Sequence, residues 1–204
     1  LIDFTENGDS AQGNPLMEAN PGGAPCNVLA MLQKLGKKTA FIGKVGNDMF
    51  GNQLKKAVEE VGIDTRNLIM DHKHHTTLAF VHTYPDGDRD FSFYRDPGAD
   101  MMLTKEEVQK ELIEDSRIFH FGTLSSTHEG VREATRHAIE LAKEAGCIIT
   151  FDPNLRPPLW NSLDDARREI EYGMGKCDVL KISDNEVEFL FGTTDYDKGS
   201  ALIR

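Results

Sequence analysis

The sequence is poor in positive charge, in cysteine and in long apolar runs. Its 23 Lys and Arg residues face 34 Asp and Glu residues, which leaves a net charge of −11 over 204 residues. A surface that binds nucleic acid or anionic lipid would have to overcome this repulsive field, so we expect neither a nucleic acid nor a membrane as a partner. No apolar run has the length that a membrane-spanning helix needs.

The three cysteines, Cys26, Cys147 and Cys177, do not form a recognisable framework. Their number is odd and their spacing is not that of a metal site. Reduced, buried thiols in a cytoplasmic protein explain them best. A hydrophobic fraction of 39% is typical of an ordinary globular protein, and the length suits one domain, with or without a small appendage.

Strand and helix patterns alternate along most of the chain. Residues 39–45 (TAFIGKV) predict a buried strand, and Asp48 is expected to cap a helix that ends at Gly62. Thr104 begins the pattern T-K-E-E, which predicts a helix with a capping box. Further strands are predicted over 117–121, 147–152 and 178–183, and further helices over 127–145 and from 184 onward. This alternation predicts an α/β fold whose parallel sheet is covered on both faces.

One segment departs from that alternation. Residues 76–83 and 89–95 predict two antiparallel strands that are joined by a turn at 85–88 (PDGD). Phe93 and Arg95 fall on one face of the second strand. A hairpin inserted into an α/β domain can form a flap over the mouth of the sheet.

Polar residues gather where the predicted strands end. Asp3 closes a strand-like run over 1–4, and Asp152 closes a later strand. Gly22 and Gly23 stand directly before a helix that carries Asn27 on its first turn. Ligands of open parallel sheets lie beyond the carboxyl ends of the strands, so these side chains are candidates for one site. Glycine allows a ligand close to the backbone, and an asparagine amide can both donate to and accept from a hydroxyl.

Five ordered motifs carry a resemblance to a known family. "GGAPCNVLAMLQKLG" and "FIGKVGNDMFG" resemble the first signature of the ribokinase-like (PfkB) sugar kinases. "FYRDPGADMML", "FDPNLRPPLW" and "KISDNEVEFLFG" resemble the fructokinase branch, in the same order. The resemblance covers essentially the whole chain. It implies a three-layer α/β/α core with a mostly parallel sheet, and a small β lid with strands at about 14–19 and 76–96. It also implies ATP-dependent phosphorylation of a sugar, above all fructose.

The resemblance assigns roles to individual residues. The residues implied to bind the sugar are Asp3, Gly22, Gly23, Asn27, Phe93, Arg95, Asp152 and Asn154. Arg156 is implied to orient the substrate near the transferred phosphate. Ser183 and Glu186 are implied on the cofactor side, where Glu186 acts on Mg2+ indirectly and the chain supplies no direct metal ligand. Asn185 and Glu188 also spell N-x-x-E, so a shifted register stays open. ATP and Mg2+ are the implied cofactors, and a monovalent cation such as K+ is a further candidate.

One family signature is absent. No G-A-G-D segment occurs where the family carries its catalytic aspartate and its phosphate-binding amides. Phosphoryl transfer depends on positioning and charge stabilisation, so we expect a partial kinase domain over 1–204 that is inactive by itself. "PGAD" at 97–100 resembles the signature, but it follows the second hairpin strand and is interpreted as the exit loop of the lid.

Alternatives to a fructokinase remain. A ketodeoxygluconate kinase or a riboside kinase shares the glycine and arginine positions. A catalytically inactive sugar-binding module and a nucleotide-binding regulator with a Rossmann-like core belong to other functional classes, and the second is disfavoured because the motifs fall on the sugar side. The run His72 to His75 is interpreted as a solvated loop rather than a metal site. A homodimer formed through the lid is a further expectation.

Overall fold

The computed structural model describes residues 1–84 and 89–203, with the side chains of Thr83 and Arg89 left out. The strands are β1 (Ile2–Asp9), β2 (Pro15–Pro21), β3 (Ala40–Gly46), β4 (Asp64–Asp71), β5 (Leu78–Thr83), β6 (Arg89–Tyr94), β7 (Ile118–Phe121), β8 (Ile148–Phe151) and β9 (Val179–Leu180). The α-helices are α1 (Ala24–Lys34), α2 (Met49–Val61), α3 (Lys110–Glu114), α4 (Glu129–Glu144), α5 (Leu163–Met174), α6 (Asp184–Phe191) and α7 (Tyr196–Ile203). The chain divides into two compact units, Leu1–Val108 and Gln109–Arg204.

The first unit contains a four-stranded sheet with the order β2-β1-β5-β6. β1 runs parallel to β5, and the other two pairings are antiparallel. The predicted hairpin is therefore confirmed, with Leu78 opposite Tyr94, while its predicted turn at 85–88 lies outside the described residues. The strand predicted over 14–19 is also present, as Pro15–Pro21.

The prediction for the opening strand is wrong in its extent. Asp3 is the second residue of a strand that continues to Asp9, and not the residue that closes it. The extension arises because β2 folds back along β1, so that Ile2 pairs with Pro21 and Asp9 with Pro15. The polar stretch after Phe4 has no apolar alternation of its own, and its extended form depends on these backbone hydrogen bonds.

The core of the first unit lies between this sheet, the parallel pair β3-β4 and helix α2. Ile2, Val45, Leu54 and Leu68 are buried together, and partly buried aromatic rings pack around them. The Phe4 ring stacks on Phe80 with 4.8 Å between centroids. The predicted bounds of α2 are confirmed, because Asp48 accepts a hydrogen bond from the Gly51 N–H and Gly62 ends the helix with a φ of +94°.

The helix predicted at Thr104 is only partly confirmed. The capping box with Glu107 is present, but it closes a three-residue 3-10 turn, and α3 begins later at Lys110. A tertiary contact accounts for the difference. The Glu107 carboxylate also receives the Lys44 ammonium at 2.7 Å, and the following residue, Val108, takes an extended conformation.

The second unit is a parallel α/β layer. Its three strands have the order β7-β8-β9, and all pairings are parallel. On one face of the sheet the rings of Phe121 and Phe151 stack at 4.6 Å. A Cβ on Gly173 of α5 would lie 2.5 to 2.8 Å from the Phe151 ring, so this glycine allows α5 to pack directly on β8. In the described part of the chain, no helix combines the length and the apolar character that crossing a membrane requires.

Candidate functional site

The first predicted sugar-binding pair, Asp3 and Gly22, is in direct contact in the first unit. Asp3 lies on β1 opposite Asn20 of β2, and Asn20 precedes Gly22 by two residues. A Cβ on Gly22 would overlap the Asp3 Oδ2 atom and lie 2.7 Å from its Cγ. The carboxylate therefore rests against the Gly22 backbone, and a side chain at this position would displace it.

Phe93 shares a sheet face with Asp3. Asp3 pairs with Ala79 of β5, and Ala79 pairs with Phe93 of β6, so the three lie in one row across the sheet. Ala79 is completely buried between its two neighbours, and the Phe93 ring stacks on Phe91 at 5.9 Å. A carboxylate and an aromatic ring that flank a small residue suit a sugar, because the first accepts hydrogen bonds from hydroxyls and the second packs on C–H groups.

Helix α1 begins without a side-chain cap. Gly23 occupies the N-cap position with a φ of +126°, and Pro25 lies in the first turn. The Asn27 N–H donates to the Gly23 carbonyl at 3.0 Å, and the Asn27 side chain is exposed. The first turn of α1 thus leaves backbone N–H groups without a side-chain cap beside an exposed amide.

Arg95 is held in a charged network that the sequence analysis missed. Its side chain is 6% exposed, its Nε donates to the Asp100 Oδ2 atom at 2.7 Å, and its Nη2 lies 2.6 Å from the same oxygen in an ion pair. The Thr77 hydroxyl donates to the other carboxylate oxygen of Asp100. In the sequence, Asp100 stands out only as part of PGAD at 97–100, the segment that resembles the absent signature. The sequence signal for its contact with Arg95 is an opposite charge five residues after the arginine.

Several of these residues meet near the start of β1. The Thr77 carbonyl accepts the Ile2 N–H at 3.1 Å, and the Thr77 hydroxyl donates to the Asp100 carboxylate. The Leu1 carbonyl accepts a hydrogen bond from the Gly22 N–H at 3.0 Å. Asp3, Gly22, Arg95 and Asp100 are therefore brought together, although they lie far apart in the sequence.

In the second unit, the predicted loop at 152–156 begins directly after β8. The Asp152 Oδ1 atom accepts the Asn154 N–H at 3.2 Å, and Asp152 Oδ2 lies 3.1 Å from the Lys181 ammonium. Asn154 has a φ of +47°, the left-handed conformation that asparagine tolerates better than most residues. Arg156 follows as a half-buried side chain whose Nη1 donates to the Leu155 carbonyl at 3.0 Å.

Glu186 joins this loop to the start of α6. Its side chain is buried, with Oε1 accepting the Leu155 N–H and Oε2 accepting the Ser183 N–H, both at 2.8 Å. The Ser183 hydroxyl accepts the Glu186 N–H in return, at 3.4 Å, which completes a capping box. The pattern S-x-x-E carries the signal for this capping box, but the sequence analysis did not use it.

The burial of Glu186 and Glu188 helps to decide which of them occupies the position of the family glutamate. Glu186 is 5% exposed, whereas Glu188 lies on the exposed side of α6. Glu186 is therefore the better candidate for the family glutamate. Each of its carboxylate oxygens accepts a backbone N–H, an arrangement that fits a positioning role.

Two further residues support the loop from β7. The Thr123 hydroxyl donates to the Pro153 carbonyl at 2.6 Å, and Thr123 is 1% exposed. A Cβ on Gly122 would lie 2.7 Å from the Asp152 carbonyl oxygen. The segment after β7 thus fixes the backbone on which Asp152 stands, a role that no local pattern in the sequence reveals.

The histidine loop makes ordinary side-chain contacts. His72 lies 3.0 Å from the Asn47 amide, and His74 Nδ1 lies 3.3 Å from the Asp71 carboxylate. His75 is exposed, 3.7 Å from Asp48. Across residues 1–84 and 89–203, no group of three or more His, Cys, Asp or Glu side chains is arranged to hold a metal ion.

A comparison with protein families matches the chain over residues 1–203 to the family described as pfkB family carbohydrate kinase. Among curated relatives, fructokinase-2 of Solanum lycopersicum is 43% identical over an alignment of 204 positions, which covers 99% of this chain and 62% of the relative. Fructokinase-1 of Zea mays is 43% identical over 194 residues, or 94% of this chain and 60% of the relative. The chain thus spans about three fifths of the length of these relatives.

Solved structures of fructokinases are also similar to this chain. The crystal structure of a fructokinase from Xylella fastidiosa matches with a TM-score of 0.88 and 35% identity, over 100% of this chain and 62% of that one. A structure of fructokinase from Vibrio cholerae O395, in a fructose, ADP and calcium ion bound form, matches with a TM-score of 0.84 and 29% identity, over 99% of this chain and 63% of that one. These matches confirm the ribokinase-like α/β fold that the motifs predicted.

Proposed function

Because the chain belongs to the pfkB family of carbohydrate kinases, we propose that the protein transfers a phosphoryl group from ATP to a sugar hydroxyl, with fructose as the preferred acceptor. The observation that carries this proposal is the Asp3 carboxylate held against the Gly22 backbone, on the same sheet face as Phe93. The Vibrio cholerae relative was solved with fructose and ADP, which supports both substrates.

In this proposal the first unit binds the sugar. The Asp3 carboxylate accepts hydrogen bonds from sugar hydroxyls, and the absence of a side chain at Gly22 and Gly23 allows the sugar close to the backbone. The exposed Asn27 amide supplies a donor and an acceptor to a further hydroxyl. Phe93 packs on the C–H face of the ring.

The second unit is proposed to act nearer to the phosphate. Arg156 offers a planar array of N–H donors that matches phosphate oxygens, and Asp152 and Asn154 orient the loop and the sugar. ATP, when bound, supplies the phosphoryl group, and Mg2+ neutralises its charge. Glu186 and Ser183 serve this side indirectly, because Glu186 uses both carboxylate oxygens to hold Leu155 and Ser183. A monovalent cation such as K+ is a further candidate cofactor.

The catalytic base is not assigned to a residue of this chain. The family base stands in a G-A-G-D segment, and the sequence has no such segment. The residues named above bind, orient and neutralise charge, while removal of the hydroxyl proton requires a carboxylate or another base beside the acceptor oxygen.

A coupled assay of the full-length protein with ATP and Mg2+ tests the proposal. A panel of fructose, ribose, a riboside and ketodeoxygluconate should show turnover with fructose first. Turnover of another sugar, with fructose inert, would make the fructokinase assignment wrong while leaving the kinase assignment intact. If no sugar is phosphorylated, the kinase proposal itself fails.

The compartment and the assembly state are further parts of the proposal. All three cysteines are free thiols, with Cys147 buried and Cys26 and Cys177 half-buried, which supports a reducing cytoplasm. A homodimer would form through the β2-β1-β5-β6 sheet, whose edge strand β6 carries the exposed Tyr94. Light scattering of the full-length protein measures this state directly.

A further inference from the structure

We propose that Asp100 is a positioning residue of the sugar site, which holds Arg95 in the geometry that the substrate needs. This inference rests on the proposed function, and it takes Arg95, which the family resemblance implies among the sugar-binding residues, as a group that acts on the sugar. Arg95 is the first residue after β6, at the edge of the sheet β2-β1-β5-β6. An arginine side chain has much rotamer freedom, and a group that binds substrate from such a position needs a partner that restrains it.

Asp100 provides this restraint through a charge-assisted contact. The Nε of Arg95 donates to Oδ2 of Asp100 at 2.7 Å, and Nη2 lies 2.6 Å from the same oxygen in an ion pair. Ionised partners give short and strong hydrogen bonds, and the planar guanidinium makes them directional. A guanidinium has donors on more than one edge, so an arginine held at the Nε–Nη2 edge keeps a defined orientation for the rest of the group.

Asp100 is itself held by Thr77, the residue directly before β5. The Thr77 hydroxyl donates to Asp100 Oδ1, and the Thr77 carbonyl accepts the Ile2 N–H at 3.1 Å. Ile2 is the neighbour of Asp3 on β1. The network therefore links the arginine at the end of β6 to the strand that carries the Asp3 carboxylate.

Gly98 makes room for this network. A Cβ at position 98 would overlap the Thr77 hydroxyl and lie 2.7 Å from Asp100 Oδ1 and 3.0 Å from the Arg95 side chain. Gly98 has a φ of −84°, which any residue can adopt, so the demand for glycine here comes from the neighbouring side chains and not from the backbone. Gly98→Ala therefore disturbs the network without removing a charge.

The Arg95 side chain is too buried for its contact with Asp100 to be an ordinary surface ion pair. The arginine side chain is 6% exposed, whereas Asp100 is 37% exposed. A guanidinium removed from water to this degree requires a counterion, and the Asp100 carboxylate, which Thr77 links to the residue before Asp3, supplies it. Asp100 thus orients the arginine and also offsets its charge near Asp3.

The test is a double-mutant cycle in the full-length protein. Arg95→Ala, Asp100→Ala and the double variant are compared by KM for fructose, KM for ATP and kcat. We expect Asp100→Ala to raise the KM for fructose about tenfold, with the KM for ATP unchanged, because a mispositioned arginine weakens only the sugar contact. In the Arg95→Ala background the same substitution should change the KM for fructose by less than about twofold, because its effect acts through Arg95.

Matched variants separate positioning from folding. Asp100→Asn keeps the shape and one acceptor and should give an intermediate KM for fructose, and Gly98→Ala should raise that KM with both charges in place. Glu114→Ala removes an exposed carboxylate that pairs with Lys110 at 3.1 Å, and it should leave every kinetic constant unchanged. If Asp100→Ala does not fold, Asp100→Asn and Gly98→Ala carry the test.

The outcomes distinguish this inference from the proposed function. A wild-type protein that phosphorylates a sugar, with a KM that Asp100→Ala, Asp100→Asn and Gly98→Ala leave unchanged, overturns the inference alone. Effects of Arg95→Ala and Asp100→Ala that multiply independently also overturn it. A wild-type protein that phosphorylates no sugar overturns the proposed function, and the inference with it.

Discussion

At the scale of single residues, the clearest lesson is that the candidate site depends on contacts between residues that are not adjacent in the chain. The Asp3 carboxylate lies against Gly22, and the largely buried Arg95 side chain contacts Asp100. The motifs indicate which residues matter, because glycine, aspartate and arginine have distinct chemistry. They do not indicate which atoms meet, because that depends on how the strands are paired.

The Asp71 carboxylate shows how local contacts determine a titration. Burial alone would raise the pKa of Asp71, but hydrogen bonds from the N–H groups of Lys73 and His74, together with the Lys44 ammonium, lower it to about 2 from an ordinary value of 3.8. The side chain is 9% exposed, so solvent screens these contacts little. The ionised form is thus favoured in the folded protein, and Asp71 stabilises the fold only while it stays ionised.

We therefore predict that the stabilising effect of Asp71 is lost in acid. A folded-state pKa lowered from 3.8 to about 2 contributes about 2 kcal/mol to the free energy of unfolding. This contribution is complete above pH 3.8 and disappears as the pH falls toward 2, so Asp71→Asn should be destabilised at pH 7 and approach the wild type near pH 2. Urea unfolding at a series of pH values measures the difference, with the exposed Asp115→Asn as control. A difference that stays constant across that range would contradict the assignment.

At the scale of elements, helix α6 illustrates how a cap couples local and tertiary structure. Ser183 and Glu186 form a capping box that a four-residue pattern encodes, while the second oxygen of Glu186 accepts the Leu155 N–H from a loop 31 residues earlier. The first contact is predictable from the sequence. The second is not, because no local pattern links the two segments.

A pair of substitutions on α6 tests this coupling. Glu186→Ala removes two acceptors of buried backbone N–H groups, and we expect it to lower the free energy of unfolding by about 2–3 kcal/mol. Glu188→Ala, at an exposed position of the same helix, should change it by less than about 0.5 kcal/mol. Chemical denaturation gives both values. Equal losses for the two variants would remove the basis for preferring Glu186 as the family glutamate.

Element boundaries show the same division between local and tertiary causes. Helix α2 begins and ends where Asp48 and Gly62 predict, because a cap and a left-handed glycine act within one turn. Strand β1 extends to Asp9 and the capping box at Thr104 closes only a short turn, because in both cases a distant partner decides the outcome.

At the scale of the whole molecule, the predicted residues are divided between the two compact units. Asp3, Gly22 and Arg95 belong to the first unit, and Arg156 and Glu186 to the second. Each unit has its own sheet and its own apolar core. We therefore expect substitutions in the two units to affect different kinetic constants.

The prediction for the second unit concerns Arg156→Ala in the full-length protein. Because Arg156 is proposed to act on the transferred phosphate, removing its planar donor group should lower kcat by about 10²- to 10³-fold, with a smaller effect on the KM for fructose. Asp3→Asn in the first unit should mainly raise the KM for fructose. Steady-state kinetics with each substrate varied measures both, and Arg66→Ala, which removes a side chain that is 62% exposed, is the arginine control. An unchanged kcat for Arg156→Ala would make its assigned role wrong.

The sequence by itself determined the class of the fold, the bounds of the well-capped helices and the residues that carry the family motifs. These features follow from periodicity, capping and the chemistry of single residues, all of which act over a few positions. Only the tertiary structure decided the full length of β1, the contact of Asp3 with Gly22, the network of Arg95, Asp100 and Thr77, and the link from Glu186 to Leu155. Each of these joins segments that are remote in the chain, and the free energy of such contacts depends on which groups folding brings within reach.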